Sequence, residues 1–143
     1  MSATGQLIRS TRHVIAYFGL NDPDCPHFAD PATGTLDLVA GVYRTHTGKI
    51  PTCFTTDPER ARQVIEVNQP VMDALHVISQ ALPTDAPSDQ PDGPDDVIEH
   101  ITGWLAQIDP FTGRHPGLSD VIGVLERAAA LAEATVPRQR NAA

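Results

Sequence analysis

The stretch TDPERARQVIEVNQPVMDALHVISQAL, residues 56–82, decides the fold class. The Thr56 hydroxyl can accept a hydrogen bond from the Glu59 amide while Glu59 reaches back, and Pro58 loses no needed bond in a first helical turn. A helix is therefore expected to start here, with Ala61, Val64 and Ile65 facing inward. Pro70 lacks an N–H and crowds the turn before it, so Asn68-Gln69-Pro70 predicts either a sharp kink or a new helix over 70–82. In that second part Val71, Ala74, Leu75, Ile78 and Leu82 keep the three-and-four spacing of an amphipathic helix.

The same rhythm recurs on both sides. Leu7, Ile8, Thr11, Val14, Ile15 and Phe18 form one helical stripe, stopped by Gly19, with Arg9, Arg12 and His13 on the opposite face. Residues 20–34, rich in Asn, Asp, Pro and Gly, read as a loop. Residues 35–46 are apolar on more than one side, which predicts a buried central helix; a short strand over 39–43 is the rival, outvoted by the helical segments that follow. Asp95 or Asp96 is placed to cap a helix bearing Val97, Ile98, Ile101, Trp104, Leu105 and Ile108. Ser119 is expected to cap a last helix with Val121, Ile122, Leu125, Ala128, Ala129 and Ala132 on its inner stripe. Residues 83–94 hold four prolines and three aspartates and no large apolar side chain, so a mobile acidic loop is expected there. Together these segments predict an all-α fold, a compact bundle of five to six helices forming one domain over 1–136, with a frayed tail over 137–143.

Composition sets the outer bounds. A chain of 143 residues with 41% hydrophobic and 20% charged residues is a single globular domain by size and balance. Its net charge of −8 repels a phosphate backbone, so nucleic-acid binding is not expected. Two cysteines, Cys25 and Cys53, make no disulfide framework, and Arg9 and Arg12 interrupt the first apolar stretch, unlike a secretory signal. No apolar run reaches the ~20 residues needed to span a bilayer. A cytoplasmic protein without a membrane partner is the expectation.

Four pieces in order carry a resemblance: Leu36-Asp37-Leu38-Val39-Ala40-Gly41-Val42-Tyr43-Arg44, Pro51-Thr52-Cys53-Phe54-Thr55-Thr56-Asp57, Val97-Ile98-Glu99-His100-Ile101 with Trp104, and Val121-Ile122-Gly123-Val124-Leu125 with Arg127-Ala128-Ala129. On these the chain resembles a family of uncharacterised small helical proteins from Streptomyces and related actinomycetes, a domain of unknown function. The resemblance implies a compact helical fold and no activity to carry over. The acidic, proline-rich stretch at 83–94 departs from the family's pattern and has the character of an insertion. Nine arginines against the single Lys49 also fit a GC-rich genome.

Chemistry-bearing residues are sparse. His100 and Trp104, one turn apart on a helix, can present an imidazole beside an indole, although a histidine at the edge of an apolar stripe is more often satisfied by a neighbouring polar atom. Cys25-Pro26-His27, with or without Cys53, offers zinc or haem ligand types but lacks paired ligand spacing, so no metal site is expected. Cys53 and Ser119 lack the surroundings of an activated nucleophile, and no phosphate-cradling glycine motif occurs, so neither a catalytic residue nor a cofactor is expected. Arg9, Arg12, Arg60, Arg62, Arg127, Arg138 and Arg140 read as solvated faces. The leading functional expectation is a non-enzymatic module that binds another protein or itself, resting on the apolar surplus of residues 36–43. The alternative is a small-ligand binder or enzyme with an interhelical pocket near Tyr43, His100 and Trp104.

Overall fold

A computed structural model describes residues 2–84 and 96–134. Residues 85–94 of the acidic stretch and the tail at 137–143 lie outside the described residues. Among those described, seven helices and no strand are found: α1 (Ala3–Phe18), α2 (Leu38–Thr47), α3 (Cys53–Thr56), α4 (Pro58–Glu66), α5 (Gln69–Ala81), α6 (Val97–Ala106) and α7 (Leu118–Ala134). The all-α expectation holds. The extra element relative to the sequence reading is α3, a single turn too short to show a period.

Local chemistry sets most boundaries. Ser2 caps α1 by accepting from the Gly5 amide, and Gly19 ends it at φ 85°, a backbone state that a side chain would strain. The expected capping box at Thr56 does not form. Its hydroxyl donates to the Thr52 carbonyl inside α3, which leaves Asp57 in an extended conformation to cap α4 through the Arg60 amide. Asn68 accepts from the Val71 amide and starts α5 with Pro70 in its first turn, so the proline opens a separate helix instead of kinking a long one.

Three further boundaries differ from the sequence reading. α2 begins at Leu38 with Asp37 as its cap, while Leu36 stays outside and bridges to Leu20 and Ala29. α6, capped by Asp96, ends at Ala106, so Ile108 leaves the helix and is 60% exposed. Ser119 sits exposed within α7, and Asp120 reaches back to accept from the Gly117 amide. On the same helix Val124 is buried, whereas Ile122 is only half-buried.

The core joins Ile8 and Ile15 of α1, Leu38, Val39 and Val42 of α2, Leu75 and Ile78 of α5, Ile101 of α6 and Leu125 of α7. α5 packs against α1, α2, α4, α6 and α7. α2, expected at the centre, has five consecutive buried residues in its first half but packs against α1, α5 and α6, so α5 is the hub. Small residues allow the close approaches. A Cβ on Gly41 would collide with Ile15 Cδ1 and lie 2.9 Å from its Cγ1, so α1 and α2 touch through a position that only glycine fills. Ala128, Ala129 and Ala132 serve the same end where α7 meets its neighbours.

Asn21 makes three side-chain bonds within the loop over 20–36. Asn21 donates to the carbonyls of His27 at 3.0 Å and Phe28 at 3.1 Å and accepts from the Thr35 hydroxyl at 2.8 Å. The Asp37 amide then donates to the Phe28 carbonyl at 2.7 Å and the Ala29 amide to that of Phe54 at 3.0 Å. With its backbone satisfied this way, the loop turns Phe28 and Ala29 into the core and leaves its outer rim as one wall of a cleft.

Candidate functional site

The cleft lies between that loop, the N-terminus of α2, α4 and α6, with Pro116 closing one side. Its volume is about 430 Å³, within the span usual for small-molecule sites. Leu20, Phe28, Ile98 and Leu105 supply apolar wall. The polar groups come from every side: Asp22, Cys25 and His27 from the loop, Asp37 from the cap of α2, Glu59 and Arg62 from α4, Glu99 from α6.

Arg62 builds the α4–α6 wall. Its guanidinium meets Glu66 at 2.7 Å and Asp96 at 2.6 Å, and the same Asp96 oxygen accepts from the Glu99 amide at 3.0 Å, so the cap of α6 is also the anchor of α4. Desolvation works to lower the arginine's pKa, but the bonds to Asp96 and Glu66 outweigh it and the net shift is upward. Its charge is thus committed to two carboxylates.

Asp37 is perturbed as well. One carboxyl oxygen accepts from the Val39 amide at 2.7 Å, which caps α2. Burial pushes its pKa from 3.8 to about 6, against the opposing pull of the Val39 and Ala40 amides. A carboxylate has about four acceptor positions, so capping leaves it capacity to meet a donor in the cleft. His27 also lines the cleft, with its Nδ1 buried and lacking a hydrogen-bond partner. The Cys25 thiol is directed to the His27 carbonyl at 3.5 Å and not to the ring, so the two do not form a thiol–imidazole pair.

The residues singled out from sequence have different surroundings. Tyr43 is half-buried with its ring 5.0 Å from that of Phe54, which stands 5.9 Å from Phe28. His100 is buried, with Nδ1 2.6 Å from the Ser79 hydroxyl and Nε2 2.8 Å from that of Thr84. Both ring nitrogens are thereby satisfied, and the histidine ties α6 to α5 and to the residue just before the undescribed stretch. Trp104, on another face of α6 from the cleft, lines a broader groove with Ile108, Asp109, His115 and Arg127. The carboxylates there are occupied locally: Asp109 accepts from the Phe111 amide and Asp120 from that of Gly117.

Cys25 and His27 reach the cleft, but Cys53 does not; it packs against the core. Among the described residues no three His, Cys, Asp or Glu side chains converge as metal ligands. Arg9 pairs with Glu133 and Arg12 with Glu126, both on α7. No helix among the described residues is long and apolar enough to cross a membrane.

The site residue that sequence reasoning missed is Asp37. Its signal was present as a lone acid between Leu36 and Leu38 in an otherwise apolar run, a placement that makes sense for a cap facing a cavity. No family model, no curated protein and no solved structure matches the chain.

Proposed function

We propose that this chain is a cytoplasmic small-ligand-binding module and that the cleft between the 20–37 loop, α4 and α6 is its site. The observation that carries the reading is the half-buried Asp37 carboxylate, kept beside an apolar wall although an uncharged cap would suit the fold at least as well. Groups retained against stability cluster at working sites. The apolar surplus of residues 36–43, the sequence feature that favoured a protein partner, is spent inside the chain's own core, with Leu38, Val39, Ala40 and Val42 fully buried. Binding, without covalent chemistry, is what the polar set supports, because no cysteine or serine at the cleft is bonded to a base.

The test is a screen of small aromatic and aliphatic compounds, cationic, neutral and anionic, followed through backbone amide shifts of isotope-labelled protein. Shifts should concentrate at Asn21, His27, Ile98, Thr102 and Leu105, and Thr102→Trp, which fills the cleft from α6, should remove them. Shifts confined to the Trp104 groove, or unchanged by Thr102→Trp, would reject the assignment.

A further inference from the structure

We propose that the cleft selects an amphipathic amine, its ammonium set against Asp37 and its apolar body against Phe28, Ile98 and Leu105. This rests on the cleft being a ligand site. The charge inventory makes the choice. Asp22, Asp37, Glu59 and Glu99 all line the cleft, whereas its one guanidinium, Arg62, is already bonded to Glu66 and Asp96. An anion entering here meets carboxylates and no uncommitted cation. A wholly apolar ligand strips water from Asp37 and returns nothing to it.

A primary ammonium, with three donors and no acceptor, fits an acceptor-rich wall. The Asp37 carboxylate can accept from it, and Asp22, Glu59 and Glu99 add further carboxylates around the same cleft. The same cleft is lined by Ile98, which is buried, and Leu105, which is half-buried, so it offers hydrocarbon as well as carboxylates. Polar recognition at one end and apolar burial at the other is how small sites combine orientation with affinity.

Asp37 is also the group that makes the selection depend on pH. The other titratable or charged groups lining its cleft are Asp22, Cys25 and His27 from the loop, Glu59 and Arg62 from α4, and Glu99 from α6. With its pKa raised to about 6 by burial, it carries its full charge at pH 8 and is largely protonated at pH 5. A simple alkylamine stays protonated at both, so the loss of attraction on acidification belongs to the protein.

The experiment uses 4-phenylbutylamine, 4-phenylbutanol and 4-phenylbutyrate, three probes of one shape and different charge, titrated against the full chain while cleft amide shifts are followed. At pH 8 the amine should bind about tenfold or more tighter than the alcohol, and the carboxylate weakest. At pH 5 the preference of amine over alcohol should shrink at least threefold. Asp37→Asn, which keeps a capping oxygen for Val39, should bring the amine to the alcohol's affinity at pH 8. If alcohol or carboxylate binds the cleft as well as the amine does, the amine assignment is overturned and the cleft remains a ligand site. If none of the three shifts the cleft amides, both readings are overturned. Should Asp37→Asn misfold, the wild-type comparison at two pH values decides alone.

Discussion

Replacing Asp37 by Asn should stabilise the protein at neutral pH, and the gain should vanish in acid. Asparagine caps a helix as well as aspartate does, so the bond to the Val39 amide survives. What disappears is a carboxylate whose pKa is raised from 3.8 to about 6 by burial. For an acid raised on folding, the folded chain holds its proton more tightly than the unfolded chain does. Below about pH 4 both forms are protonated and no penalty exists; between 4 and 6 the penalty grows; above 6 it is complete. A shift of two units corresponds to about 3 kcal/mol, and solvent reaching the carboxyl from the cleft reduces this to roughly 1–2 kcal/mol. Urea unfolding followed by far-ultraviolet circular dichroism at pH 8 should therefore show a midpoint about 0.5–1 M higher for Asp37→Asn, with the two proteins alike at pH 4. A variant less stable than wild type at pH 8, or a gain of equal size at both pH values, would refute the reasoning.

Three further outcomes follow from packing and hydrogen bonding. Gly41→Ala drives a methyl into Ile15, which is fully buried and has nowhere to go, so it should cost about 1–3 kcal/mol in urea unfolding. Adding Ile15→Val, which deletes the colliding Cδ1, should recover part of that loss, and a double mutant no better than the sum of the singles would contradict the contact. His100→Ala leaves the Ser79 hydroxyl buried without its imidazole partner and should destabilise by about 2–4 kcal/mol, while cleft ligands bind with unchanged affinity as read by amide shifts. Asn21→Ala removes the bonds to His27, Phe28 and Thr35. Hydrogen exchange of the amides at 25–29 should then rise at least tenfold while helical dichroism stays within a few per cent of wild type, and protected amides there would show that the loop does not depend on Asn21.

The helices were legible because the chain repeats one signal many times. Ile8, Ile15, Leu75, Ile78, Ile101 and Leu125 recur at helical spacing, and all are buried. Asp96 and Gly19 were readable as boundaries because a capping oxygen and a left-handed glycine act locally. Where two local choices compete, sequence was a poorer guide. Thr56 has the chemistry of a cap, but the single turn of α3 claims its hydroxyl, and that turn exists only because Phe54 is pulled into the core. Residues 36–43 illustrate the same limit: periodicity reported an apolar surplus but not that neighbouring helices of the same chain would absorb it.

The site was harder still. Its groups come from loop, cap and two helices, spread from Leu20 to Pro116, and no short spacing encodes their meeting. His100 and Trp104 drew notice because they are near each other in sequence, yet one is a structural tie between helices and the other faces a different groove. Cys25-Pro26-His27 did fall at the cleft, as lining residues without a third metal-binding partner among the described side chains.

Carbon NMR of the Asp37 carboxyl tests most directly whether a charged group is held ready in the cleft. In the free protein the resonance should titrate near pH 6, and with saturating 4-phenylbutylamine the midpoint should fall by one unit or more, toward the ordinary aspartate range. A carboxyl that titrates near pH 4 without ligand, or one whose midpoint does not move when the amine is added, would contradict it.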